Sequence, residues 1–322
     1  MNWREASVLV TGGTGSFGNK FVEVMLQTYH PRRLVIFSRD ELKQSEMMAR
    51  FSDPSLRFFV GDVRDRDRLE RAMHGVDVVV HAAALKQIPS CEYNPFEAIQ
   101  TNIIGTKNVI DAAIDQGVKR VIAISTDKAV NPINVYGATK LCAEKLVVQA
   151  NVYGHPRGTV CAVVRYGNVI GSRGSVIPLF RAQRETGKVT VTDRGMTRFW
   201  IRLEQGVEFA IRCAGIAQGG EIFVPKIPSM RMMDLVETIA PGCQVELIGI
   251  RPGEKLHEIL ISEDESRQAV EYEGMFVLEP IYPSWPFGSR DGGKRPAAGF
   301  RYSSDTNQTW FTRPEMQDLG DG

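Results

Sequence analysis

Tyr136 and Lys140 stand four residues apart, so a helix through them puts a phenol and an ammonium on one face. A cation beside a tyrosine favours the phenolate, which can then take a proton from an alcohol losing hydride. A Tyr-x-x-x-Lys by itself often marks a solvated helix face. Here it ends a segment that opens Ser125-Thr126-Asp127-Lys128 at the close of an apolar run. Asp127 and Lys128 extend the chemistry. Once one carbon of a sugar is a ketone, the proton on the next carbon is acidic, and an acid and a base together can remove it and expel the following hydroxyl as water. Lysine serves as that base when burial or nearby cations depress its pKa, and Lys140 and Lys86 are the expected cations. Asp127 is expected to protonate the leaving hydroxyl. The plain alternative is a salt pair at a strand end.

Redox chemistry of this kind needs a carrier, and residues 11–18, Thr-Gly-Gly-Thr-Gly-Ser-Phe-Gly, offer a place for one. Glycines at 12, 15 and 18 between a strand and a helix allow a tight turn, close approach of backbone N–H groups to a pyrophosphate, and close helix packing. Thr14, Ser16 and Phe17 complete the loop. The second apolar run ends Ser38-Arg39-Asp40-Glu41-Leu42-Lys43. Ser38, Arg39 and Lys43 suit the 2′-phosphate of NADP, because a guanidinium grips phosphate through paired charge-assisted bonds. Asp40 keeps NAD open. Asp62 and Val63 end the third run near the expected adenine edge, and Ala82 follows the fourth, where small residues let backbone lie along a cofactor. His81, inside that run, reads as a packed core histidine.

Short apolar runs at 8–10, 34–37, 58–60, 76–81, 121–125 and 162–165 alternate with helical stretches at 21–28, 66–73, 95–116 and 138–150. That alternation predicts an α/β fold, a Rossmann doubly wound parallel sheet. We expect residues 1–168 to form the dinucleotide-binding domain, with a returning segment around 200–225, and 169–322 to form mainly a smaller C-terminal substrate-binding lobe. Residues 280–322, rich in Pro, Gly, Ser and Asp, read as a loosely packed tail or an interface arm.

With 43% hydrophobic and 24% charged residues and a formal net charge of +1, the chain has no field to gather nucleic acid or anionic membrane, so its ligands are expected to be small molecules. Five scattered cysteines show neither a disulfide framework nor metal-ligand spacing, so no metal is expected. Reduced thiols and the lack of a leader or a long apolar run predict a cytoplasmic protein.

Together, residues 11–18, 38–43, 125–140 and 251–255 (Arg-Pro-Gly-Glu-Lys) resemble the inverting UDP-N-acetylglucosamine 4,6-dehydratases, a branch of the extended short-chain dehydrogenase/reductases. The resemblance runs from residue 7 to about 280 and fades in the tail. It implies that NADP takes hydride from carbon 4 and returns it to carbon 6, with inversion at carbon 5, to give UDP-2-acetamido-2,6-dideoxy-β-L-arabino-hex-4-ulose for the pseudaminic acid pathway of surface or flagellin glycans. Lys128 is then the carbon 5 base, Asp127 its acid partner and Tyr136 the base for the alcohol. Retaining dehydratases usually carry Asp-Glu where this chain has Asp127-Lys128, which favours the inverting branch over them and over the 4-epimerases. A silent NADP sensor usually lacks the Tyr/Lys pair.

For the UDP-sugar, the stretch leaving the last core strand supplies Asn168, Val169, Arg173, Gly174, Ser175 and Val176. The resemblance adds Lys86, Thr192, Arg251 for the pyrophosphate and Glu254 for a ribose. Arg198 fits either a ligand contact or a structural ion pair. The resemblance also implies a homo-oligomer, possibly a hexamer.

Overall fold

The computed structural model describes residues 1–171, 176–281, 283–288, 290–312 and 314–316. Six parallel strands come first: β1 (Ser7–Thr11), β2 (Arg33–Ser38), β3 (Leu56–Val60), β4 (Val78–His81), β5 (Arg120–Thr126) and β6 (Val160–Tyr166). β1, β2, β4 and β6 are almost wholly buried, as near-continuous Val/Ile/Leu runs require when helices cover both faces. Further strands follow: β7 (Asn168–Ile170), β8 (Lys188–Val191), β9 (Thr197–Arg202), β10 (Ile222–Pro225), β11 (Ser229–Arg231), β12 (Gln244–Leu247), β13 (Ile259–Ile261), β14 (Ala269–Tyr272), β15 (Met275–Leu278) and β16 (Tyr302–Ser303). The main sheet has nine strands in the order β14-β15-β10-β6-β5-β4-β1-β2-β3. Strand order reverses beside β1, and in such sheets ligands lie outside the carboxyl ends of the strands at this point. The sheet also takes β14 and β15 as antiparallel additions from beyond the expected returning segment.

The connecting helices are α1 (Ser16–Val24), α2 (Glu41–Arg50), α3 (Arg66–Met73), α4 (Ile88–Tyr93), α5 (Pro95–Ile99), α6 (Gly105–Asp115), α7 (Val135–Gln149) and α8 (Asn151–Gly154); later come α9 (Val176–Arg184), α10 (Leu203–Ile216) and α11 (Met232–Ile239). Local chemistry sets their starts: Asp40, Asp65 and Asn134 each accept a backbone N–H at the head of α2, α3 and α7. The helix expected across 95–116 is broken by a π turn at Gln100–Ile104. Its extra residue turns Asn102 inward, where it bonds both backbone groups of Leu85 and the Thr139 hydroxyl of α7.

The lobe has its own core of Ile177, Phe180, Val191, Trp200, Leu235 and neighbours. The tail corrects the expectation of loose packing. β16 pairs with β13, Phe311 N–H donates to Ser229 O at 2.9 Å, and the buried Trp285 indole donates to Gly219 O at 3.1 Å. Its few aromatic residues fill gaps that aliphatic counting overlooks.

Candidate active site

One cavity of about 1170 Å³ runs from the glycine loop after β1, past the ends of β4 and β5, to the lobe. At the loop, Gly12 has φ +64°, and a Cβ there would stand 2.9 Å from the Ala83 backbone, so only glycine fits the approach. Gly15 caps α1 without any side-chain bond, which leaves the first N–H groups of the helix facing the cavity beside Thr14, Ser16 and Phe17. Gly18 packs on Gly13 rather than on the cavity, where a Cβ would meet Gly13 O at 2.3 Å. These features fit a bound dinucleotide pyrophosphate.

Around the end of β2 the Ser38 and Thr14 hydroxyls are 2.6 Å apart. The Arg39 guanidinium is about half exposed, 3.3 Å from Asp62, which Arg64 also holds. Asp40 caps α2 and pairs with Lys43, while Glu41 lies in the first turn and Leu42 is 67% exposed; neither Glu41 nor Leu42 lines the cavity. Asp62, Val63, Ala82 and Lys86 do line it. His81 is neutral and structural. Thr106 gives its own proton to Asn102 O and so accepts from Nε2, while Nδ1 takes the Thr11 hydroxyl. Burial, then Lys140, lowers its pKa to about 3.

The reactive groups converge where β5 runs into a short 3-10 turn and α7. Gly137 lets α7 press against that turn, since a Cβ would lie 2.1 Å from Lys128 O. Asn134, which caps α7, also reaches Gly253 O at 2.8 Å and so ties the helix to the 251–255 motif. Tyr136, Lys140 and Lys128 line the cavity, with Asp127 fully buried behind Lys128. Lys128 Nζ donates to Asp127 Oδ1 at 2.8 Å and Asn168 Oδ1 at 3.3 Å, and lies 3.2 Å from Glu258 Oε1. Thr126 Oγ1 donates to Asp127 Oδ1 at 2.9 Å.

Two electrostatic expectations are overturned. Burial acts to lower the Lys128 pKa, but Asp127 and Glu258 outweigh it and raise it, so the amine is held charged; the opposing cation is Arg198, not Lys140 or Lys86. Burial pushes Tyr136 up to about 12, partly offset by Lys128. Lys140 is not the cation acting on Tyr136: it donates to Ile124 O at 2.7 Å, and burial lowers its pKa to about 8. Asp127 is raised by burial and then by Glu258, against Lys128 and Thr126, which lower it.

On the lobe side Asn168, Val169, Val176, Thr192, Arg198, Arg251 and Glu254 line the cavity, and Arg173, Gly174 and Ser175 lie outside the described residues. Arg198 pairs with Glu258 at 3.8 Å, in line with the structural ion pair weighed for it. Sequence reasoning missed Glu258, four residues after Glu254, and Trp200, which sits among apolar neighbours in sequence. It also missed Thr101, carried into the cavity by the π turn. Among the described residues there is no cluster suited to a metal and no helix long and apolar enough to cross a membrane.

Comparison with known proteins agrees with this geometry. The polysaccharide biosynthesis protein family matches residues 8–280. An inverting UDP-N-acetylglucosamine 4,6-dehydratase of Campylobacter jejuni is 48% identical, over 98% of both chains. A UDP-glucose 4-epimerase of Rickettsia conorii is 44% identical over 82% of this chain and 80% of its own. The solved dTDP-glucose 4,6-dehydratase DesIV of Streptomyces venezuelae, crystallised with NAD and TYD, is 25% identical with a TM-score of 0.67, over 78% of this chain and 86% of its own.

Proposed function

The chain belongs to the polysaccharide biosynthesis protein family of extended short-chain dehydrogenase/reductases, and on that premise we propose that it is an inverting UDP-N-acetylglucosamine 4,6-dehydratase that uses NADP. The observation that carries this reading is the buried Asp127–Lys128 pair, whose lysine lines, with Tyr136, one cavity shared by a dinucleotide loop and the lobe. A 4-epimerase needs Tyr136 and Lys140 but has no use for an acid paired with a lysine.

When bound, the dinucleotide supplies reversible two-electron chemistry, so the cycle closes without net redox change. Lys140, Thr14, Ser16 and Phe17, which line the cavity, would hold it, and Ser38, Arg39 and Lys43 would favour the 2′-phosphate. A ligand hydroxyl that draws Lys140 away from Ile124 O brings a second cation toward Tyr136. Tyr136, which burial holds as a phenol, first gives its own proton to solvent in the cavity and as phenolate takes the proton of the carbon 4 hydroxyl. With carbon 4 a ketone, Lys128 accepts the carbon 5 proton and Asp127 protonates the carbon 6 hydroxyl, which leaves as water. Lys128 must first release its own proton to a carboxylate, because both neighbours hold it charged. Arg251, Thr192, Asn168 and Glu254, which line the cavity, would bind the nucleotide and sugar, and Arg173, Gly174 and Ser175 keep the same role on the strength of the sequence resemblance alone.

On this reading the product, UDP-2-acetamido-2,6-dideoxy-β-L-arabino-hex-4-ulose, feeds pseudaminic acid synthesis in the cytoplasm. Exposed Tyr93, Phe96, Ile99 and Tyr153 support a homo-oligomer. The test is mass spectrometry of UDP-N-acetylglucosamine incubated with the protein and NADP. Loss of one water is expected, and a product of unchanged mass but altered configuration would assign an epimerase instead.

A further inference from the structure

Elimination requires an acid that is loaded and a base that is empty at the same moment. With Asp127 and Lys128 alone, the lysine's proton has one carboxylate to go to, and a carboxyl 2.8 Å from an ammonium ordinarily ionises. The site holds a third group. Glu258 lies just before β13, in a segment no motif reading reached, and its side chain is 3% exposed. Its Oε1 is 3.2 Å from Lys128 Nζ and 3.8 Å from Arg198 Nε, while Oε2 is buried without a partner, as is Oδ2 of Asp127. The tail fixes its backbone: Ser304 N–H donates to Glu258 O at 2.9 Å, and Glu258 N–H donates to Ser304 Oγ at 2.9 Å.

We propose that Glu258 is a positioning residue for the elimination: it is the counter-ion of Lys128 and the acceptor of its proton, which leaves Asp127 free to keep the proton that the departing hydroxyl needs. The inference rests on the dehydratase reading above. The Lys128 ammonium passes a proton to the Glu258 carboxylate, giving an amine and a carboxylic acid. The amine then takes the carbon 5 proton as the carbon 5–carbon 6 double bond forms. The carbon 6–oxygen bond breaks, and Asp127 protonates the leaving oxygen. Return of the Glu258 proton through Lys128, which touches both carboxylates, reloads Asp127. The groups facing this cluster are Asp127, Lys128 and Tyr136 from the β5–α7 segment, Arg198 from β9, and Lys255 and Glu258 from the segment before β13. Within it Asp127 is raised, with burial first and Glu258 second, and Glu258 is lowered, chiefly by Lys128 against its burial.

The experiment compares E258Q and E258D with the wild type in steady-state dehydration of UDP-N-acetylglucosamine across pH. Glutamine is expected to lower kcat by about tenfold or more with KM changed less than about threefold. It should also move the alkaline limb of the kcat profile to lower pH by about half a unit, because Asp127 loses a neighbouring negative charge that favours its protonated form. Aspartate keeps the charge and should leave the limb in place. An E258Q limb that stays at the wild-type pH overturns the proposal, whether kcat is kept or falls in step with thermal stability. If E258Q does not fold, N168D, which adds a carboxylate on the same ammonium, must move the limb upward, and an unmoved limb overturns the proposal equally. A wild type that does not dehydrate the sugar nucleotide sinks the dehydratase reading itself, before any variant is compared.

Discussion

Lys128 is gripped by two carboxylates and an amide oxygen, so replacing it with alanine removes a charge from a buried cluster as well as the carbon 5 base. We expect Lys128→Ala to lose dehydration by about a hundredfold or more while the dinucleotide still binds, since the glycine loop and residues 38–43 that would hold it are left intact. Retention of full turnover would assign the base elsewhere. Arg39 is about half exposed and pairs weakly with Asp62, so it is available to a phosphate. Arg39→Ala should weaken NADP binding about tenfold and NAD binding little. Equal losses for the two dinucleotides, measured by titration, would remove Arg39 from the discrimination.

Elements decide whether those groups meet. The turn from β5 into α7 brings Thr126, Asp127, Lys128, Tyr136 and Lys140 together, and Gly137 is the point where helix and turn touch. Gly137→Ala places a methyl against backbone rather than against a flexible side chain, so we expect about 2 kcal/mol or more of lost stability and a fall in kcat. Unchanged melting would mean that the helix shifts at no cost. β4 carries a different liability in neutral His81. A folded pKa lowered to about 3 from 6.5 means that its contribution to stability is complete above about pH 6.5 and is lost as pH falls toward 3. Stability should therefore drop by about 1.4 kcal/mol per pH unit in that window. Denaturant titrations at pH 7 and pH 5 that give equal stabilities would contradict this.

At the scale of the molecule, the tail holds the lobe to the sheet and holds Glu258 to the site. Tyr302 of β16 accepts from Ile227 N–H at 2.9 Å and donates to Ile227 O at 3.0 Å. Tyr302→Phe should cost about 1–3 kcal/mol, because the buried Ile227 N–H loses its partner, while Ile227 O keeps the amide of Asn307; a melting temperature equal to the wild type's would refute that.

The sheet, the glycine loop and the Tyr136/Lys140 pair were legible in sequence because each rests on local periodicity or spacing. The π turn that swings Asn102 inward has no periodic signature, and the tail's anchorage depends on Trp285 and Tyr302 meeting backbone groups far away in sequence. The charge on Lys128 was misread for the same reason. One of the two carboxylates that set it, Glu258, is 130 positions downstream, and burial alone points the other way.

The central claim is that the site dehydrates and inverts. Proton NMR of UDP-N-acetylglucosamine incubated with the protein and NADP in deuterated water tests it most directly. The account predicts a new carbon 6 methyl signal, deuterium at carbon 5 and couplings of the L-arabino configuration. A methyl signal with the original carbon 5 configuration, or no methyl signal at all, would contradict it.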